Sequence, residues 1–168
     1  MKKIIITCIM LTAFAVTSFS QSIAEGSLDV LKGQERVSIE LDFTFANIHG
    51  MDEENFAKYE EDWEKDKKGV MLNFISEASS NCNRIAIGSF SSTDYLFKVF
   101  VSKINKNGDW QSRVELLDKE GNSYAKIVAL YGSGGRIGSK INLINDGAQN
   151  SGKALGRFLD KALKKVKK

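Results

Sequence analysis

The feature that most constrains the fold is a strict alternation of apolar and polar residues in "RVSIELDFTF", residues 36–45. Every odd-numbered residue of this run is apolar and every even-numbered residue is polar. Successive side chains of a strand point to opposite faces, so a period of two predicts a strand with one face on a core. The opposite face would point towards solvent or a partner and would carry Ser38, Glu40 and Asp42.

Four more strand-like runs follow, at residues 84–90, 95–104, 112–118 and 124–131. The run "YLFKVFVSKI" is apolar on both of its faces, which predicts a central strand covered on both sides. Asn107-Gly108 is a strong hairpin signal, and Gly121 marks the next turn. The last three strands are therefore predicted to form an antiparallel meander.

Two helices are predicted, over about residues 52–78 and 139–165. Asp52 is a good N-cap for the first helix, in which Gly69 marks a bend or break. In the second helix Ala148, Gly152 and Gly156 recur every four residues on one side. Small residues on one side predict a close approach of backbones, which we expect to be between this helix and the sheet. A helix dimer is the alternative.

The predicted order of elements is β-α-β-β-β-β-α. A strand–helix–strand crossover joins parallel strands, whereas the meander is antiparallel. The sequence therefore predicts an α+β fold, a two-layer sandwich with a mixed, mostly antiparallel sheet of about five strands. Both helices would lie on one face of that sheet, since each needs an apolar partner.

The first twenty residues have the pattern of a signal peptide. Lys2 and Lys3 precede an apolar run, residues 4–16, and Ser-Phe-Ser stands before Gln21. The apolar run is too short for a membrane-spanning helix, the alternative interpretation. We expect a signal peptide at 1–20, a flexible lead-in without periodicity at 21–34, and a single domain at 35–168. The protein would be exported, and be periplasmic, outer-membrane-associated or secreted.

The charge of the chain is small. The net charge is +3 at pH 7, and loss of the two leader lysines leaves about +1. We therefore expect no nucleic-acid partner. No transmembrane segment is expected after cleavage, because the short apolar run leaves with the leader. The closing "KALKKVKK" predicts at most a weak contact with an anionic membrane surface. Cys82 is the one cysteine outside the leader, so no internal disulfide is expected.

A glycine-rich segment, "YGSGGRIGSKIN" at residues 131–142, lies between the last strand and the last helix. Its spacing fails the P-loop pattern and the dinucleotide-binding pattern. The favoured interpretation is a wide turn with glycines at positive φ. The alternative is contact with an anion or a partner through Gly134, Arg136 and Lys140. Trp110, beside the predicted hairpin, is a further candidate as an exposed partner contact.

No catalytic constellation is evident from the sequence. His49 is the only histidine, and Asp52, its nearest carboxylate, is better used as an N-cap. We therefore expect no metal, no cofactor and no catalytic residue. The alternative is a small exported enzyme, hydrolase-like, with a site near His49 or the 132–140 loop.

One stretch carries a family resemblance. "DYLFKVFVSKINKNGDWQSRVELLDKEGNSYAKIVALYGSGG", followed by a glycine-bearing helix, resembles small exported bacterial proteins of unknown function. Their α/β domain is similar to that of curli-secretion-channel-type and TolB N-terminal-type envelope proteins. The resemblance rests on Asp94-Tyr95 and on the turn at residues 118–121, and covers roughly residues 35–165. It implies binding or assembly in the cell envelope, with another envelope protein or an extracellular ligand as partner.

Overall fold

The computed structural model describes residues 21–166, so the predicted signal peptide lies outside the described residues. They form seven strands, a short 3-10 helix at Asp29–Leu31, and three α-helices. The strands are β1 (Ser22–Gly26), β2 (Arg36–Asp42), β3 (Asn47–Ile48), β4 (Ala86–Gly88), β5 (Tyr95–Ile104), β6 (Trp110–Asp118) and β7 (Ser123–Gly132). The helices are α1 (Glu53–Tyr59), α2 (Trp63–Ser80) and α3 (Lys140–Val166).

All seven strands belong to one open, mixed sheet with the order β1-β7-β6-β5-β2-β4, and β3 pairs with β5. The α+β class is confirmed. β5, β6 and β7 form the predicted antiparallel meander, and β2 and β4 are the predicted parallel pair. The predicted count of about five strands and the predicted order of elements were wrong, because β1 and β3 also join the sheet.

The segment 21–34 is more regular than its sequence indicates. It was predicted to be a flexible lead-in, but Ser22–Gly26 forms a strand that pairs antiparallel with β7. Leu28 and Leu31, which follow that strand, are fully buried. All five residues of this strand are exposed, so its sequence has no apolar alternation from which a strand could be predicted. The strand forms because the edge of β7 offers hydrogen-bonding partners.

One face of the sheet is buried beneath α2 and α3, and the other faces solvent. The inward residues of the three central strands are almost fully buried: Val37, Ile39 and Leu41 in β2, Phe97, Val99 and Val101 in β5, and Val114 and Leu116 in β6. On the outer face of β5, Leu96 and Phe100 are only half-buried. The predicted cover on both sides of β5 was therefore wrong. The groups that lie over the ring of Phe100 are the cationic ends of Lys98 and Arg113, where a second layer of apolar residues had been predicted.

The first strand is shorter than its alternating sequence indicates. β2 ends at Asp42, whose carboxylate accepts a hydrogen bond from the backbone N–H of Thr44 at 2.9 Å. This turn carries the chain off the sheet. Phe43 remains buried against Trp110. Phe45, predicted to face the core, is 89% exposed.

The first predicted helix is divided, but not at Gly69, which lies inside α2. α1 ends at Tyr59 and α2 begins at Trp63. The predicted N-cap is confirmed, because Asp52 accepts a hydrogen bond from the backbone N–H of Asn55. Across the break, the carboxylate of Glu53 pairs with Lys67. The break lets Trp63 turn fully into the core, where it packs edge-on against Phe56.

Gly152 and Gly156 of α3 pack against α2. The prediction that these two glycines approach the sheet was wrong. A Cβ atom on Gly152 would lie 2.2 Å from the carbonyl oxygen of Phe74, and one on Gly156 would lie 2.4 Å from that of Ala78. A Cβ atom cannot lie this close to a carbonyl oxygen, so only glycine fits at positions 152 and 156 without a shift of the helices. The predicted close approach of backbones is therefore present, but the two partners are helices.

Candidate functional site

The glycine-rich loop rests on the turn between β5 and β6. The backbone N–H of Gly134 donates to the carboxylate of Asp109 at 2.9 Å. This bond, more than any other contact, lowers the pKa of Asp109. A Cβ atom on Gly134 would lie 1.9 Å from the carbonyl oxygen of Asn107, so glycine is needed here for the close approach of two backbones. Of the loop glycines after Gly132, only Gly138 has the predicted positive φ, 140°.

The charged groups of this loop have different surroundings. The ammonium group of Lys140 pairs with Glu60 and lies 4.2 Å from the centre of the Tyr59 ring. Arg136 is exposed beside Ile137, which is 93% exposed. The N–H of Gly134 and the ammonium of Lys140 thus already have carboxylate partners within the chain. Binding of an anion by Gly134, Arg136 and Lys140 stays a prediction.

Trp110 is a core residue and not the surface contact that its sequence position suggested. It is fully buried, with Phe43 at 5.7 Å and Phe74 at 6.2 Å between ring centres. The hairpin turn lies beyond it at Asn105–Asp109, where Gly108 has a φ of 78°. The prediction was wrong because Trp110 is the first residue of β6 and faces the helices.

His49 has an unusual environment. Its φ is 56°, its ring packs edge-on against Phe56, and its Nε2 atom is buried without a hydrogen-bond partner among the described residues. Burial, and then the positive charge of Lys140, lower the pKa of His49. Both effects favour a neutral imidazole. Within residues 21–166 no group of three or more histidine, cysteine or acidic side chains could hold a metal ion.

The outer face of the sheet carries a row of alternating charges. Five directly paired residues, one from each of five adjacent strands, run across it: Glu25, Lys126, Glu115, Lys98 and Glu40. Glu25 and Lys126 form an ion pair at 2.7 Å. Opposite charges on adjacent strands stabilise one register of the sheet. The charges of this face are therefore largely balanced within the chain.

A polar cleft of about 530 Å³ opens at one end of this face. It is lined by Glu40, by the hydroxyl-rich loop at residues 89–94, and by Asp118. Much of its hydrogen-bonding capacity is used internally: Thr93 donates to Ser38, which donates to the carbonyl of Phe90. The lining therefore fixes the loop to β2.

A larger groove of about 710 Å³ lies between the first strand and the second half of α3. We call it the basic groove. Its apolar lining comes from Ile23 of β1, from Leu28, and from an α3 stripe of half-buried side chains spaced by four residues: Ala154, Phe158, Ala162 and Val166. Beside that stripe runs a second row with the same spacing, which we call the basic row: Arg157, Lys161 and Lys165.

The basic row is exposed to solvent. All three side chains are exposed, and none forms an ion pair with another residue in 21–166. Eight cations of residues 21–166 form such a pair, as Lys98 does with Asp42, so the absence of a pair is not confined to the basic row. An apolar groove flanked by unpaired cations can bind a ligand that is both apolar and negatively charged.

The groove was not predicted from the sequence. The basic residues at steps of four on α3 are a readable signal, but only Lys161 and Lys165 were interpreted, as part of the closing "KALKKVKK". Ala154 and Phe158 of the apolar stripe beside them were not identified from the sequence. Neither pattern could reveal that β1 forms the opposite wall, since β1 itself was not predicted.

Comparisons with known proteins give only a distant structural likeness. No protein-family model matches the chain, and neither does any curated protein. A PelC dodecamer from Paraburkholderia phytofirmans matches with 9% identity and a TM-score of 0.43, over 81% of this chain and 98% of that chain. A substituted PelC from the same organism matches with 8% identity and a TM-score of 0.39, over 80% and 93%. TM-scores this low do not establish a shared fold. Among residues 21–166, no helix is both long and apolar enough to cross a membrane.

Proposed function

We propose that this chain is an exported, non-catalytic binding or assembly module of the bacterial cell envelope. The leader-like residues 1–20 support export. The single observation that carries a binding role is the basic groove, which combines an apolar lining with three cations that have no ionic partner among the described residues. The resemblance to curli-secretion-channel and TolB N-terminal domains belongs to the same proposal.

The partner would be another envelope protein or an extracellular ligand. Nucleic acid is not favoured, because the basic row has three cations on one helix rather than a broad basic face. Its last member, Lys165, belongs to the terminal cluster for which weak membrane contact is predicted. Lipid attraction through that cluster alone would be short-ranged and sensitive to salt.

The test joins cell fractionation with site-specific crosslinking. A photoreactive phenylalanine analogue replaces Phe158 in the groove, or Phe45, which is 89% exposed on another surface, as the matched control. We expect the protein in the envelope or medium without its leader, and a specific adduct from position 158 only. Retention in the cytoplasm with an intact leader would refute export. Equal adducts from both positions, or none from position 158, would refute a partner in the groove.

A second candidate is the small exported enzyme with a site near His49. The observation that favours it is the buried Nε2 atom of His49, which has no hydrogen-bond partner among the described residues. Burial also lowers the pKa of His49, which favours the neutral form that a general base needs. A panel of ester, amide and glycoside substrates tests it with the wild type and His49→Gln. Loss of a measurable hydrolysis in the variant would support this candidate, and the absence of hydrolysis by the wild type would dismiss it.

A further inference from the structure

We propose that the basic groove binds an extended acidic segment of a partner protein, which joins the sheet as an additional strand beside β1. This inference deepens the proposed function and rests on it. It names the chemistry of the partner: a peptide in strand conformation with carboxylates on every second residue. Three features of the groove support it, namely a strand edge, the spacing of its cations and the order of its two stripes.

The first feature is the edge of the sheet. β1 is the last strand on its side, and it pairs only with β7 among the described strands. The N–H and C=O groups on its other edge are therefore not paired with a strand of residues 21–166. Such an edge can accept a guest strand through main-chain hydrogen bonds. Because Ile23 of β1 also lines the basic groove, a guest on this edge would lie beside α3.

The second feature is spacing. Arg157, Lys161 and Lys165 are four residues apart in a helix, so their attachment points are separated by about 6 Å along its axis. Side chains on one face of a strand are about 6.6–6.8 Å apart, because they come from every second residue. For a guest strand that runs along α3, the two repeats agree well enough for three successive carboxylates to meet three successive cations.

The third feature is the order of the two stripes. A guest side chain that points towards α3 reaches the apolar stripe with Phe158 and Ala162, and its end can reach the basic row. A glutamate side chain suits both the apolar stripe and the basic row. Its methylene groups can cover apolar atoms while its carboxylate pairs with lysine or arginine. The recognised pattern is therefore glutamate alternating with residues that favour strands.

The direct test measures binding of synthetic peptides to the protein purified after export. The probe is a labelled octapeptide of alternating glutamate and threonine, followed by fluorescence anisotropy at low ionic strength. Two peptides serve as controls: one with the glutamates and threonines in two blocks, and one with lysine in place of glutamate. We expect the alternating peptide to bind best and to shift the backbone amide signals of residues 22–26. Equal binding of the block peptide would overturn the inference.

Two charge reversals on the same helix sharpen the test. Lys161→Glu changes the middle of the basic row, and Lys164→Glu makes the same change in net charge outside the lining of the groove. We expect Lys161→Glu to weaken binding roughly tenfold, from one lost and one repulsive exposed ion pair, and Lys164→Glu to have less than about a twofold effect. Equal losses would mean unspecific attraction and would overturn the inference.

Backbone pairing is tested by methylating alternate amide nitrogens of the peptide, which preserves its charge but removes hydrogen-bond donors. We expect methylation of the amides that face β1 to abolish binding. Three other occupants are tested in parallel: vesicles of anionic lipid, a peptide of residues 4–16, and a second copy of the protein by sedimentation. Preferred binding of any of these at the groove would overturn the acidic-strand inference. A crosslink from position 158 in cells would still support the proposed function.

Discussion

Gly152 of α3 lies directly against the backbone of Phe74 in α2, so that a Cβ atom on the glycine would be 2.2 Å from the carbonyl oxygen of Phe74. One turn later, Gly156 has the same relationship with Ala78. These two contacts set the separation of the helices that cover the sheet. They also hold the half of α3 that carries the basic groove.

Gly152→Ala is therefore expected to lower the free energy of unfolding by about 1–3 kcal/mol, because the two helices must move apart to make room for the methyl group. Chemical denaturation monitored by circular dichroism measures this loss. Gly69→Ala is the matched control, since Gly69 is also helical and a Cβ atom there would meet nothing within 4 Å. It should stabilise the protein by roughly 0.5–1 kcal/mol. Stabilisation by both substitutions would contradict the close packing of α2 and α3.

Asp42→Asn is expected to reduce stability at neutral pH and to lose this effect in acid. The Thr44 hydroxyl and backbone N–H, together with Lys98, lower the pKa of Asp42 from 3.8 to about 2. The stabilisation is thus complete above about pH 4 and is lost as the pH falls towards 2. Since the carboxylate is partly exposed, we expect about 1–2 kcal/mol at pH 7. Urea unfolding of both proteins across this range measures it, and a constant difference would refute the assignment.

His49→Asn should make stability less dependent on pH just below neutrality. Asparagine tolerates the positive φ of this position. Burial lowers the pKa of His49 below 6.5, so the unfolded chain takes up a proton more readily than the folded one. The wild type should therefore lose stability as the pH falls through 6.5, and the variant should lose less. Unfolding midpoints above and below this pH provide the comparison, and parallel curves would show that His49 does not titrate in this way.

Inorganic phosphate is expected to leave the melting temperature of the wild type unchanged in the millimolar range. The N–H of Gly134 and the ammonium of Lys140 already bind Asp109 and Glu60. A ligand stabilises a fold only when it binds the folded state better than the unfolded state. A phosphate-dependent rise in the wild type that is absent from Lys140→Gln would instead support an anion site in the glycine-rich loop. Matched chloride solutions control for ionic strength.

Several local elements could be predicted because neighbouring residues determine them. The alternation in residues 36–45 predicted β2, Asn107-Gly108 predicted the β5–β6 hairpin, and Asp52 was identified as an N-cap. Each depends on a short-range effect: side-chain alternation, positive φ at glycine, or an unsatisfied helical N–H. The small residues at 152 and 156 likewise indicated a close contact, though not its partner.

The candidate site could not be predicted in the same way. Trp110 stood next to a turn and looked exposed, but Phe43 and Phe74, distant in sequence, surround it. Lys140, at the start of α3, was a candidate for contact with an anion or a partner, but the fold places the carboxylate of Glu60 beside it. In both cases a residue far along the chain decided the environment, and no local pattern contains that information.

The sequence by itself determined the α+β class, the meander and the small-residue side of the last helix, because these follow from periodicity and from the conformational preferences of single residues. Only the tertiary structure decided that residues 22–26 complete the sheet and that their edge lies beside Phe158 and Lys161. The physical reason is that a short strand without apolar alternation has no stability of its own. It forms only where β7 supplies its hydrogen bonds, and the groove exists only once that strand is in place.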